Sequence, residues 1–231
     1  MTILSTIQGV CKVVGLTVPT EALASTERAH VELVALANEM ADRIAQGHDW
    51  QSLKVLATIT GDGSTESHSL PSDYIRMLKK AQVWSSSLET PLTPISDTDE
   101  WLGLDIQAFD FVINAWTIYG DQIHIKPALA SAVTAKYFYV TNQIVTASDS
   151  STKTTFTADD DTFRLSERLL TLGMIWQWRA HKGLPYQEDM ETFEALKETL
   201  ISDDKGSRMV RLGKVRLPGD LTTSYPQSIT P

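Results

Sequence analysis

The sequence predicts an α+β fold in helix–strand–helix order, and three observations carry that prediction. Apolar residues recur at helical spacing before residue 50 and again after residue 163. Between these stretches, β-branched and aromatic runs are separated by Gly-Asp pairs, which suit tight turns. From Lys205 the periodicity stops, and Lys205, Arg208, Arg211, Lys214 and Arg216 face a single acid, Asp220. The expected organisation is one domain over residues 1–205, helical at 1–49 and 163–205 and β-rich at 50–150. An extended basic arm follows over residues 206–231.

Taken in order, Ile3, Ile7, Val10, Cys11 and Val14 have helical spacing, with Gly15 as a stop. After a Pro19 connector, a long helix is expected over about residues 27–45. Leu33, Val34, Leu36, Ala37, Met40, Ala41 and Ile44 face inward; Glu32, Asn38, Glu39 and Asp42 face outward. Gly47 is placed to cap it. Residues 55–60 and 67–70, joined by Gly61-Asp62-Gly63-Ser64, are expected to form a hairpin closed by Pro71. A strand is expected over 80–84, a loop over 89–96, and a helix start over 96–101, where Asp97, Asp99 and Glu100 suit a positive helix end. Residues 115–119 and 122–127 flank Gly120-Asp121 as a second hairpin, and 133–140 alternates as another strand. Residues 146–161, rich in Ser, Thr and Asp, are expected to be mainly an exposed loop. Helices resume from Ser166 to a stop at Gly183, and over residues 186–201, where Met190, Phe193, Leu196, Leu200 and Ile201 are apolar. No internal repeat is found.

A composition of 42% hydrophobic and 21% charged residues is that of an ordinary globular protein, long enough to bury a sizeable core. The net charge of −9 argues against a general nucleic-acid binder. A single cysteine, Cys11, excludes an internal disulfide and a Cys-rich metal site, and is compatible with a reducing compartment. No signal peptide is read at the start of the chain, and no run approaches the roughly 20 apolar residues of a membrane span.

Catalytic chemistry finds little footing. His30, His48, His68, His124 and His181 show no i, i+4 pair for zinc, and His124 is expected at a surface position of its strand. Asp159-Asp160-Asp161 lacks the calcium-loop pattern and fits better as an acidic loop leading into a helix. Ser67-His68-Ser69 is the one cluster pointing to a hydrolase, without the Gly-x-Ser-x-Gly elbow. Phosphate-cradling glycine loops are missing, so no cofactor is expected. The tryptophans are read as core or subunit contact.

The order of these motifs resembles a known family. A helix, Trp50-x-x-Leu53, a turn at Gly61, Leu70-Pro71-Ser72-Asp73-Tyr74-Ile75-Arg76 and then residues 116–127 are similar to the head–tail adaptor (connector) proteins of tailed bacteriophages. The likeness is to those of short-tailed phages, including the tail tubular adaptor type. Residues 159–170 and Gly183-Leu184-Pro185-Tyr186 resemble their closing helical segment, and the whole likeness spans most of residues 25–205.

The resemblance implies a helical bundle, formed by the two ends of the chain, that carries a β-rich middle insertion. It implies a structural, non-enzymatic virion protein at the head–tail junction, assembled in the host cytoplasm. Its partners would be the portal protein and a tail (nozzle or tube) protein. A ring of twelve copies would sit beneath the portal and continue the channel through which genomic DNA passes without specific binding. The acidic balance suits such a wall, because it repels DNA. By position in the chain, Arg208, Arg211, Lys214 and Arg216 would grip the portal. The alternatives are another phage head-completion or tail structural protein, a small hydrolase, or a nucleic-acid-binding regulator relying on the arm alone.

Overall fold

The structure, a computed structural model, describes residues 2–88, 90–106 and 114–204. Helix α1 (Ile3–Val14) starts behind Thr2, whose hydroxyl accepts from Ser5 N, and stops at left-handed Gly15. Its buried stripe is Ile3, Ile7, Val10 and Cys11, as the spacing predicts. Helix α2 (Arg28–Gly47) buries Leu33, Leu36, Ala37, Met40, Ala41 and Ile44. Gly47 is its last helical residue rather than a left-handed cap; extended His48 ends the helix instead. Asn38 is not a purely outward residue, since its side-chain oxygen accepts from Phe156 N at 2.8 Å.

A 3₁₀ turn (Gln51–Leu53) leads into strand β1 (Lys54–Thr60), followed by β2 (Ser67–Ser69), β3 (Tyr74–Met77), β4 (Trp84–Ser85) and β5 (Thr93–Pro94). Helix α3 (Thr98–Ile106) begins where the acids predict it, and Asp97 Oδ1 accepts from Asp99 N at 2.9 Å. Strands β6 (Ala115–Tyr119) and β7 (Gln122–Lys126) form the expected hairpin. Gly120 (φ 56°) and Asp121 (φ 58°) supply the two left-handed positions that match the twist of the strands. Then come β8 (Thr134–Thr141), β9 (Val145–Thr146), β10 (Thr152–Lys153), β11 (Thr162–Phe163), α4 (Glu167–His181) and α5 (Gln187–Asp204).

The helices at the two ends of the chain share one core. Ile7, Leu33, Met40, Leu170 and Met174 are buried together, joined by Phe193 of α5, by Val145 and Phe163 of the small sheet β10-β9-β11 and by Phe156 of its β10–β11 connection. A second core lies between two larger sheets, of order β1-β8-β3 (with β4 also on β8) and β2-β7-β6-β5. Ile59, Tyr137 and Tyr139 meet Trp116, Ile123 and Ile125 there. A third cluster joins Ile95, Trp101 and Ala115. The fold is therefore α+β, with helices at both ends and sheets between.

Several local expectations are corrected. Residues 55–60 and 67–70 do not pair as a hairpin: β1 pairs with β8 from Lys54↔Val140 to Thr60↔Thr134, and β2 pairs with β7. Asp62 diverts the chain, because its carboxylate accepts from Ser64 N (2.8 Å), Thr65 N (2.7 Å) and Thr65 Oγ1 (2.6 Å) and turns it toward the other sheet. The strand expected at 80–84 is confined to β4, since Ala81 N turns back to Leu78 O. β5 lies inside the stretch read as a loop at 89–96. Residues 146–161 are not simply an exposed loop: β10 lies in them and Phe156 is buried. Trp50, Trp101, Trp116 and Trp178 are core, whereas Trp84 is 40% exposed.

Candidate functional site

The predicted interaction residues Arg208, Arg211, Lys214 and Arg216 lie outside the described residues. The last described residue before them is the end of α5. Asp204, the last residue of α5, accepts from Gln51 N at 3.0 Å and lies 3.7 Å from His48 Nε2. The same short segment anchors the first sheet. Asp49 takes an ion pair from Arg76 of β3 and a hydrogen bond from Lys79 N at 3.2 Å, while Arg76 also donates to the His48 carbonyl. Burial pushes the Asp49 carboxyl up, but Arg76 and the Lys79 N–H outweigh it and leave its pKa below the ordinary value. Arg164 donates to the Gln143 and Ser52 carbonyls at 2.5 and 2.6 Å, and burial draws its pKa down. Residues 48–52 thus tie the end of α2, the end of α5 and the first sheet into one junction.

The motif at residues 70–76 is explained by this region and by Asp73. The Asp73 carboxylate accepts from Tyr139 Oη and Thr141 Oγ1 of β8, both at 2.7 Å, and its carbonyl accepts from Asn142 N. Burial raises the Asp73 pKa; the two hydroxyls outweigh it and the net shift is downward, while burial and the carboxylate push Tyr139 up. Replacing Asp73 with alanine leaves the buried Tyr139 hydroxyl without its acceptor and is expected to cost about 2 kcal/mol. A urea double-mutant cycle with Tyr139→Phe should give a coupling of at least about 1 kcal/mol; additive losses would refute the link.

Two surfaces stand out elsewhere on the body. The solvent side of α5 carries Glu188, Glu191, Glu194 and Glu198, all exposed, and Lys197 is the helix's only cation. The outer face of the first sheet sets Leu56 directly across from Phe138, each 50% exposed, with Trp84 beside Lys136 on the other side of β8. A groove of about 160 Å³ between α2 and α5 is lined by Ile44, Trp176, Met190 and Phe193 among others.

The hydrolase alternative can be tested on geometry. Ser67 does not engage its neighbour His68; it lies 2.8 Å from Nδ1 of His124 on the paired strand. His124 Nε2 faces the Tyr119 carbonyl at 3.3 Å, which only accepts, so Nε2 carries the proton and Nδ1 accepts from Ser67. His124 is not the surface residue expected of it. It is 6% exposed, because its strand is internal, Tyr119 stacks on its ring at 3.8 Å, and Trp101 of α3 packs nearby. Neither Ser67 nor His124 lines a described cavity. The pair joins β2 to β7. His30 is held alike, accepting from Ser25 Oγ at 2.8 Å and donating to the Thr17 carbonyl at 2.9 Å.

Asp159 and Asp161 do not introduce α4, whose cap is Ser166. They brace α1 instead: their carbonyls accept from Leu4 N and Ile3 N. The Asp159 carboxylate accepts from Ala22 N and Leu23 N, and Asp161 is buried on Lys153, Thr157 N and Ala158 N. Sequence reasoning missed this role because it depends on contacts far apart in the chain. Among the described residues no group of three or more His, Cys, Asp or Glu could hold a metal ion, and no helix is long and apolar enough to cross a membrane.

The helices and sheets thus meet at one junction, and the exposed sides of α5 and of the first sheet are acidic and apolar respectively. The SU10 adaptor protein family model matches residues 1–216, and the chain belongs to that family of phage adaptors. No curated protein matches it. The chain is thus a structural component of a phage virion that works against other head and tail proteins.

Proposed function

We propose that the chain is the head–tail adaptor of a short-tailed phage, of the tail tubular adaptor type. A ring of twelve copies sits beneath the portal, joins the capsid to the tail nozzle or tube, and continues the DNA channel at the head–tail junction. The family match across residues 1–216 carries this reading. Residues 1–205 act as the adaptor domain and residues 206–231 as a portal-binding arm, in which Arg208, Arg211, Lys214 and Arg216 steer docking onto an acidic portal surface. The rooting of Asp204 on Gln51 supports the arm's role, because a fixed origin limits the volume the arm must search. DNA passes without specific binding, in keeping with the net charge of −9.

The test is negative-stain microscopy of the chain with the portal protein of the same genome. An added ring is expected on the portal with the full chain. Removing residues 206–231, or replacing the four basic residues with glutamate, should abolish it. A ring that survives truncation would move the portal contact to the folded body. No ring with either form would overturn the adaptor reading.

A further inference from the structure

Strand β1 is an open edge of the first sheet. It pairs with β8 over all of Lys54–Thr60 without a bulge, and among the described residues no strand pairs with its other side. The ladder fixes which backbone groups are left over. Gly61 N donates to Val133 O at 2.8 Å, one step beyond the Thr60↔Thr134 pair, so in the alternating antiparallel pattern Val55, Ala57 and Ile59 bond to β8. The N–H and C=O groups of Leu56, Thr58 and Thr60 therefore point to the open side. Natural edges of this length are usually blunted by proline, a bulge or inward-pointing charge. The sequence Lys-Val-Leu-Ala-Thr-Ile-Thr has none of these, and its one charge, Lys54, stands at the start.

The edge fits a second copy of itself. Turned about a two-fold axis at Ala57, two β1 strands run antiparallel, with Leu56 opposite Thr58 and Lys54 opposite Thr60 of the second copy. These are residues whose backbone groups point outward, so the register centred on Ala57 can form ladder hydrogen bonds. It also keeps each face in phase. On the inner face, half-buried Val55 meets Ile59 of the second copy and the small Ala57 meets its counterpart, which extends the second core across the axis. On the outer face the Leu56–Phe138 pair, each 50% exposed, gains the same pair of the second copy as a diagonal neighbour. No like charges are opposed. Lys54 faces Thr60, and the two Lys136 residues stand three strand spacings apart, about 14 Å, beyond the screening length in ordinary salt.

We infer that the free chain associates through β1 with a second copy, making one continuous sheet across a two-fold axis. Such a contact closes on itself and builds no ring. The inference is therefore independent of the adaptor reading, and its failure leaves that reading intact.

A strand of seven residues makes a small interface, so a dissociation constant of about 10–100 µM is expected. Sedimentation equilibrium of the full chain should show monomer and dimer exchanging over this range. Across it, residue-resolved hydrogen exchange should slow about tenfold at the amides of Leu56, Thr58 and Thr60 and stay constant at Val55, Ala57 and Ile59. Thr58→Pro removes an outward N–H and no bond to β8, and should abolish the dimer with Tm within about 3 °C of the parent. Leu56→Lys, at an exposed position, should weaken the dimer at least about tenfold. A parent that stays monomeric at about 500 µM would overturn the inference. So would a dimer that survives both variants. Slow exchange at Leu56, Thr58 and Thr60 that does not change with concentration would also overturn it, because the edge would then be covered within one copy.

Discussion

Gly61→Ala is expected to destabilise the chain by about 3 kcal/mol or more, near the upper end for overpacking. A Cβ at this position would lie 2.5 Å from the Leu129 Cβ, the Leu129 carbonyl oxygen and the Ala130 carbonyl oxygen. Two of those atoms are backbone, and that backbone is held. Gly61 N donates to Val133 O at 2.8 Å, Ala132 N donates to Gly61 O at 3.1 Å, and Gly63 N donates to Leu129 O at 2.9 Å. Relief therefore means breaking the lacing that carries the chain from β1 toward the second sheet. With a urea m-value of about 2 kcal/mol/M, the midpoint should fall by roughly 1.5 M. Gly9→Ala is the control: nothing lies within 4 Å of its added Cβ, and a helical alanine should stabilise by about 0.5–1 kcal/mol. A Gly61→Ala midpoint within about 0.3 M of the parent would show that the loop yields.

Asp161→Ala should cost about 2–3 kcal/mol, because it leaves the half-buried Lys153 ammonium and two backbone donors without their acceptor. The Asp161 side chain is 1% exposed; it accepts from Lys153 Nζ at 2.9 Å, Thr157 N at 2.8 Å and Ala158 N at 2.9 Å. The loss should spread to α1, whose Ile3 N donates to the Asp161 carbonyl at 2.7 Å. Asp161 also sets a pH dependence. Burial pushes its pKa up, but the Thr157 N–H, the Lys153 ammonium and the Ala158 N–H together outweigh it, and the folded value lies below the ordinary one. The stabilisation is fully present above the unfolded carboxyl pKa of about 3.9 and is lost as pH falls through the lower folded value. Asp161→Asn should thus trail the parent at pH 7 and approach it at low pH, in urea titrations at each pH. A constant gap would remove the carboxylate from the acid response.

The helices were legible because each packs through a local stripe, such as Leu33, Ala37, Met40 and Ile44, or stops at a local signal, such as Gly15 or Gly183. The β6–β7 hairpin was legible because Gly120-Asp121 fixes its turn within two residues. What stayed hidden depends on remote partners. Lys54 meets Val140 and Ser67 meets His124, so local patterning joined β1 to β2 wrongly. His124 alternates like a surface residue until Trp101 and Tyr119 cover it. Of the junction and its surroundings, the sequence marked Asp73 and Arg76 through the motif at 70–76, while the basic segment lies outside the described residues. The anchoring of Asp204 on Gln51 spans 153 residues, and no local pattern announces it.

The junction at residues 48–52 also has a mechanical meaning. Arg76 of β3 with Asp49, Arg164 of the β11–α4 connection with the Ser52 and Gln143 carbonyls, and Asp204 of α5 with Gln51 meet at it from three separate stretches of the chain. A pull that separates helices from sheets loads these contacts together rather than one after another. Most are charge-assisted hydrogen bonds, the stronger kind. Tension on the end of α5 therefore reaches the segment that leads into β1, where several contacts share it.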